Sequence, residues 1–228
     1  GKDKNVIIWD LGEYFSHNKI AHGDSGSDSK SSEPEIVKAS LELRGHTENV
    51  EDICFHPSNP HELCSSSQDQ TILMWDMRSG GSPTTKIDEI HSDDINCVDW
   101  NPHNPNLLLA GSSDHSVSVI DIRNSKSLNY FDQHQCSVNY VKWSPFKENV
   151  FASSGDSLMI WDLSRPEDEL VFHHCGHIGP VVDFDWNFQD EWTIMSASED
   201  SDSIVMHDEG SLQLYRPLDL ICDKEEKS

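Results

Sequence analysis

Four histidines, His46, His91, His134 and His177, recur along the chain at intervals of 43 to 45 residues. Each is followed by an aspartate in a turn-forming stretch: Asp69, Asp114, Asp156 and Asp200. Serines lie between or beside them. His, Asp and Ser brought together are the ingredients of nucleophilic catalysis, in which a carboxylate orients an imidazole that deprotonates a hydroxyl. Metal binding is the other chemistry open to such side chains, and His173-His174-Cys175 with His177 has that appearance. Spacing argues against both. A zinc site takes four ligands, and no second Cys or His pair answers the 173–177 cluster. No nucleophile elbow, phosphate loop or H-E-x-x-H motif is present. A His and Asp set that returns with one period marks a structural repeat instead. The expectation is a protein without enzymatic activity, metal or cofactor.

The elements that would position these residues follow from hydrophobic alternation. After Gly45-His46, Val50 to Phe55 alternates as a strand, and His56-Pro57-Ser58-Asn59-Pro60 is a turn cluster. Leu63 to Ser67 is a second strand, Asp69 sits in the next turn, and Thr71 to Met77 is a third strand carrying Trp75-Asp76. Thr84 to Ile90 can form a fourth. The order returns in the units at 91–133, 134–175 and 176–216, where the Trp position holds Ile120, Trp161 and Tyr215. His to this position spans 29, 29, 27 and then 38 residues, so Ser201 to Ser211 is an insertion. Residues 1–10 read as the last inner strand of a unit whose first strands are absent. Residues 11–35 are expected to form a flexible, acidic, Ser- and Gly-rich loop, residues 36–216 the repeats, and 217–228 a charged tail.

The chain holds 16 Lys and Arg against 41 Asp and Glu, a formal charge of −25. Such acidity argues against direct nucleic-acid binding and anionic membranes, because both are held by Lys and Arg, and it favours basic partners. The six cysteines form no C-x-x-C pair, and Cys54, Cys64 and Cys97 lie in apolar strand runs where a thiol acts as a small hydrophobe. With no glycosylation sequon, signal peptide or long apolar run, the expected compartment is intracellular and reducing. The first residue is Gly1 rather than Met, so a natural start upstream is expected.

The Gly-His, turn-Asp and Trp-Asp periodicity resembles WD-repeat β-propellers over residues 1–10 and 41–216. The resemblance implies an all-β, WD40-type propeller, incomplete at about four and a half blades of an expected seven. It also implies a hydrogen-bonded tetrad in each blade: His46, Asp69, a Ser of 65–67 and Trp75, then His134, Asp156, Ser153 or Ser154 and Trp161. The copies at His91 with Asp114 and at His177 with Asp200 are expected to be weaker, because the Trp is replaced. The strings Val50-Glu51-Asp52, Cys97-Val98-Asp99-Trp100-Asn101-Pro102-His103, Val141-Lys142-Trp143-Ser144-Pro145 and Phe184-Asp185-Trp186-Asn187 resemble the retinoblastoma-binding, multicopy-suppressor-of-IRA group of histone-binding propellers. The Ser-rich loop after Trp9-Asp10 and the insertion at 201–211 are most similar to its plant branch of flowering-time regulators, the FVE type.

That resemblance implies a nuclear, non-enzymatic scaffold that binds basic histone tails within histone deacetylase or Polycomb-type complexes, represses transcription and serves flowering control. Loops carrying the His and the turn Asp share the top face of such propellers, which places Glu48, Asn49, Gln68, Asp93 and Asp94 as the candidate tail-binding set. Ser137 and Pro180 stand where the group has charged side chains, so part of its acidic ring is lost. The group's second site, a side groove for a histone helix, is expected to be absent or weakened, since its helix is missing and its acidic loop shrinks to Ser164–Leu170. Asp76 and Arg78 of Trp75-Asp76-Met77-Arg78 resemble the box by which WD proteins dock on a cullin ubiquitin-ligase adaptor, with Ile120-Asp121-Ile122-Arg123 a degenerate copy. Substrate reception for such a ligase is the first alternative function. A truncated, non-functional paralogue is the second.

Overall fold

The structure, a computed structural model, describes residues 2–10, 12, 38–199 and 210–217. β1 (Asn5–Ile8) pairs antiparallel with β2 (Leu41–Arg44) as a two-stranded sheet. β3 (Val50–Phe55), β4 (Glu62–Ser67), β5 (Ile72–Asp76) and β6 (Thr85–Ile87) make a four-stranded sheet. β7 (Ile95–Trp100), β8 (Leu107–Ser112), β9 (Val117–Asp121) and β10 (Lys126–Phe131) make the next, and β11 (Tyr140–Trp143), β12 (Val150–Ser154), β13 (Leu158–Asp162) and β14 (Leu170–His174) the third. β15 (Val181–Trp186), β16 (Ile194–Ser198) and β17 (Leu212–Tyr215) close the series as a three-stranded sheet. Within each sheet, strands pair antiparallel with their chain neighbours, and the three four-stranded sheets are local meanders needing only short connections. This is the all-β, incomplete propeller that the repeat spacing predicts.

One side chain organises the first turn of each repeat. His56 Nδ1 accepts the N–H groups of Ser58 (3.1 Å) and Asn59 (2.9 Å). Asn101 Oδ1 accepts those of His103 and Asn104, both at 2.9 Å. Ser144 Oγ and Asn187 Oδ1 do the same for the turns that follow β11 and β15. Short polar side chains that satisfy backbone N–H groups two and three residues on are the physical basis of such turns. The fourth strand of the first full sheet is shorter than the alternation predicts, Thr85–Ile87 rather than Thr84 to Ile90. β16 likewise starts at Ile194, because Trp192 adopts φ 69° and cannot continue an extended strand.

The core is divided into four, each part lying between two consecutive sheets. Val6 and Leu43 pack on Val50, Leu63, Leu73 and Trp75. Cys64, Ile72, Met74 and Ile87 pack on Ile95, Val98, Trp100 and Ile120. Leu109, Val119 and Phe131 meet Val141, Trp143, Phe151 and Trp161. Val150, Leu158 and Ile160 meet Phe184, Trp186 and Ile194. The middle sheets are therefore covered on both faces, and β9 and β12 are buried along their whole length. Polar bonds cross the same boundaries. Asp52 accepts the N–H of Val98 (3.0 Å), Asp99 that of Trp143 (2.7 Å), and Asn96 and Asn139 donate to the carbonyls of Val138 and Val181 at 2.9 and 3.1 Å.

Apolar exposure concentrates toward the two ends of the array. Ile53 and Phe55 of β3, in the sheet that packs on the two-stranded first one, are 49% and 54% exposed, and Leu212 and Leu214 of β17 are 68% and 71% exposed. Stability is thus predicted to reside in the boundaries between sheets. Phe151→Ala, at 0% exposure, is expected to lower unfolding free energy by about 3–5 kcal/mol. Leu214→Ala is expected to change it by less than about 0.5 kcal/mol. Urea unfolding followed by tryptophan fluorescence measures both.

Candidate functional site

The repeated histidines are buried, and their hydrogen bonds run in one direction. Trp75 Nε1 can only donate, and it reaches Ser65 Oγ at 2.9 Å. The Ser65 proton is then free to bond His46 Nε2, 2.7 Å away. His46 Nδ1–H completes the chain on Asp69 Oδ2 at 3.0 Å. Asp69 also accepts the N–H of Thr47 (2.8 Å) and the hydroxyl of Thr71 (2.6 Å). One imidazole therefore ties the loop before β3 to strand β4 and to the β4–β5 turn. The third full sheet repeats it: Trp161 to Ser153 at 2.9 Å, Ser153 to His134 at 2.8 Å, and His134 to Asp156 at 3.0 Å.

Two copies differ. In strand β8, Ala110 occupies the fourth position, where β4 has Ser65, and Ile120 stands for the Trp. His91 Nδ1 keeps Asp114 (3.1 Å) and Ser116 (3.0 Å), but its buried Nε2 has no hydrogen-bond partner among the described residues. In the last sheet, Tyr215 donates to Ser196 at 3.3 Å and Ser196 meets His177 Nε2 at 2.7 Å. Asp200 lies outside the described residues, and the Nδ1 of His177 meets Ser211 Oγ at 2.7 Å.

Titration follows from these contacts. Burial lowers the pKa of His46 and His134 despite the facing carboxylates, and burial followed by the charge of His174 lowers that of His177. Burial works to raise Asp69, Asp114 and Asp156, but hydrogen bonds from the loop N–H groups, hydroxyls and imidazoles outweigh it and hold all three below the usual carboxylate range. Neutral imidazole beside carboxylate is the resting state. No serine here is free to act as a nucleophile: Ser65 and Ser153 are each fixed between a Trp and a His in a sealed interior.

The remaining candidates occupy the loops around this network. Glu48 and Asn49 follow His46, and the carbonyl of Asn49 accepts the N–H of Gln68 at 3.0 Å, bringing Glu48, Asn49 and Gln68 together at one end of their sheet. Glu48 is exposed and pairs with Lys4 at 3.3 Å. Asp93 and Asp94 follow His91 in the next sheet, and Asp93 caps the N–H of Asp94 at 2.8 Å. The Asp94 carbonyl accepts Ser113 N–H and Ser112 Oγ–H, at 2.9 and 2.8 Å, which fixes the backbone; Asp93 is exposed and Asp94 half-buried. Among the described residues no ion pair involves Asp93 or Asp94. Partial burial and then the charge of Asp93 raise the pKa of Asp94. A bridge between sheets, from Gln70 Nε2 to the carbonyl of Ser92 at 3.2 Å, sets the two acidic loops beside one another.

Arg78 has a local occupation. Its guanidinium forks onto Asp76 at 2.9 and 2.8 Å and holds that carboxyl at about 2. Arg123 grips Asp121 in the same way, at 2.9 and 2.7 Å, in a repeat that lacks the Trp. The fork is therefore a strand-end clasp of the repeat itself. Within the 173–177 cluster His173 Nε2 meets both Ser157 Oγ (2.8 Å) and Cys175 Sγ (3.2 Å), while His174 turns to Gln213 (2.7 Å) and His177 inward. Among the described residues no group of three His, Cys, Asp or Glu side chains is arranged to hold a metal.

Sequence reasoning missed the bonds between sheets made by Asp52, Asp99, Asn96 and Asn139. For Asn96 and Asn139 a signal existed, because the two stand 43 residues apart, one repeat length. Asp99 is the most perturbed of the group. Burial raises its pKa to about 6, against the opposing N–H of Trp143 and charge of Lys142.

Comparison with known proteins agrees with this geometry. The family described as WD domain, G-beta repeat matches residues 38–76, 82–121 and 125–162. The chain is 36% identical to the WD-40 repeat-containing protein MSI4 of Arabidopsis thaliana, an alignment that takes in 100% of this chain and 49% of that protein. Over 83 residues it is 34% identical to the histone-binding protein MSI1 of Saccharomyces cerevisiae, covering 35% of this chain and 19% of that one. The chain thus spans about half or less of the length of these relatives.

Two outcomes follow from the network. Ala110→Ser supplies the hydroxyl that His91 Nε2 lacks and is expected to raise unfolding free energy by about 1 kcal/mol; a urea midpoint that stays put or falls contradicts the assignment. For pH, an unfolded His titrates at 6.5 while folded His46, His134 and His177 titrate lower. As pH falls below that value the unfolded chain binds protons that the folded chain refuses, so stability drops. The depressed aspartates add a second loss, beginning as pH falls through the ordinary carboxylate range. Asp99, whose folded pKa of about 6 lies above the ordinary carboxylate value, gains stability over the same window, so the test is made in Asp99→Asn, where urea midpoints are expected to be flat above about pH 7 and to fall on acidification through about pH 6 to 5.

Proposed function

The chain belongs to the WD40-repeat family, and from that premise we propose that it is a non-enzymatic scaffold that binds basic histone tails through the carboxylates of its His-bearing loops. The observation that carries this reading is the Asp93–Asp94 pair: adjacent, one exposed and one half-buried, fixed at the backbone and without a cationic partner among the described residues. Two neighbouring carboxylates repel one another, and a Lys or Arg side chain placed between them relieves that repulsion. Glu48, Asn49 and Gln68 extend the set across the neighbouring sheet and supply acceptors of both charged and neutral type. Overall acidity draws cationic segments toward the surface at long range.

The printed name of the yeast relative, a histone-binding protein, supports the choice of histone over other basic partners. A histone partner implies a nuclear location. Assembly with histone deacetylase or Polycomb-type subunits, transcriptional repression and flowering control extend the proposal through the likeness to the plant relative. Docking on a cullin-ligase adaptor through Arg78 gains no support from the geometry, since Asp76 already holds the guanidinium on two sides.

The proposal is tested by fluorescence anisotropy with a labelled histone-tail peptide. Asp93→Asn with Asp94→Asn is expected to weaken binding about tenfold or more, the equivalent of about 1.4 kcal/mol. Binding by the unaltered chain is expected to weaken steadily as salt rises. Affinity unchanged in the double variant removes these two carboxylates from the site.

A further inference from the structure

Cys54 and Cys64 stand directly opposite one another on β3 and β4. Opposed residues of antiparallel strands point to the same face, with Cα atoms about 4.5–5.5 Å apart. A disulfide spans Cα separations of about 4.4–6.8 Å, so the backbone already has the spacing that the bond requires. Both thiols are free. Cys64 is fully buried, whereas Cys54 is half-buried and packs at the edge of the same core. Burial first, and the neighbouring Cys54 thiol second, push the Cys64 thiol well above its ordinary range. The pair is thus asymmetric, with one sulfur reachable from solvent and one held protonated behind it.

We propose that Cys54 and Cys64 are a peroxide-sensitive dithiol that closes to a reversible cross-strand disulfide. Cys54 sulfur attacks one oxygen of hydrogen peroxide; the O–O bond breaks, an S–O bond forms, and water leaves with the thiol proton, giving a sulfenic acid. Cys64 sulfur then attacks the Cys54 sulfur. The S–O bond breaks and the departing hydroxide takes the Cys64 proton as water. Two thiols are oxidised and one peroxide is reduced to two waters. The assignment of roles follows exposure, since an oxidant meets Cys54 first and Cys64 is already in place to resolve it. The closed bond has a local consequence. Cys54 Sγ–H lies within reach of the Phe55 carbonyl (3.5 Å) and of Asp99 Oδ1 of the next sheet (3.7 Å), and disulfide formation removes the proton that either contact needs. Asp99 holds the N–H of Trp143 with its other oxygen, so oxidation acts on a carboxylate that links two sheet boundaries.

The test uses the full reduced chain and hydrogen peroxide. Remaining thiols are blocked with N-ethylmaleimide under denaturing conditions, and a glutamate-specific protease cuts after Glu62, between the two cysteines. Mass spectrometry is expected to find the Cys54 and Cys64 peptides joined, lighter by two hydrogens, and separated again by dithiothreitol. Cys175→Ser, which removes the exposed thiol, is expected to leave that linkage intact. In Cys64→Ala, dimedone is expected to trap a sulfenic acid on Cys54. If Cys54 and Cys64 of peroxide-treated wild-type protein both carry maleimide while Cys175 is oxidised, the proposal is overturned, and this outcome needs no variant to fold. Linkage of Cys54 to any other cysteine overturns it equally.

Discussion

A buried imidazole that must satisfy both nitrogens is the constraint on which this array rests. An uncompensated ring nitrogen in the interior is costly, so each histidine demands an acceptor on one side and a donor on the other. At His46 and His134 these are a turn aspartate and a strand serine, and the serine is in turn satisfied by a tryptophan. The bonds join a loop, an inner strand and a turn that are separated in sequence by about twenty residues or more. Backbone ladders hold the strands of each sheet together, and the histidine network adds the tie to the loop ahead of the first strand. The apolar packing lies between sheets, so ladder and histidine network together make each sheet a unit before it is stacked on its neighbour.

The same constraint assigns the chemistry. Side chains that resemble a catalytic set are consumed in holding the repeat, and the neutral state of the imidazoles beside depressed carboxylates is the electrostatic sign of it. What the network leaves available is the loop it anchors. The loops after His46, His91 and His134 are anchored by the backbone N–H groups of Thr47, Ser92 and Gln135 on the turn aspartates, and the residues that follow differ from unit to unit. Glu48 already has Lys4 as a partner, whereas Asp93 and Asp94 do not share in any ion pair among the described residues. A rigid backbone presenting unpaired charge is a suitable anchor for a flexible cationic segment.

Much of this was legible in the sequence because it is periodic. Gly-His, turn Asp and Trp-Asp, with the alternation between them, led to the strands β3 to β5 with errors of one residue at their ends. The turn-capping role of His56, Asn101, Ser144 and Asn187 is periodic too. The bonds between sheets were not legible, because Asp52 and Asp99 occupy different positions in their strands and answer backbone N–H groups that carry no sequence signal. The opposition of Cys54 and Cys64 likewise depends on the register of β3 against β4, which a bulge near Asp52 shifts by one residue. The partner of His177 was hidden for another reason: Ser211 comes to it from the far end of the insertion, where counting along the repeat fails.

We propose a division of labour in which the repeated histidines are structural and the loops they anchor do the binding. It is tested most directly by a nuclear magnetic resonance titration of the isotopically labelled chain with a histone-tail peptide. The account predicts perturbed backbone amides at Ser92, Asp93 and Asp94, with the side-chain nitrogens of His46 and His134 unmoved and in a single neutral tautomer throughout. Unperturbed amides at 92–94, or imidazole signals that shift as the peptide binds, would contradict it.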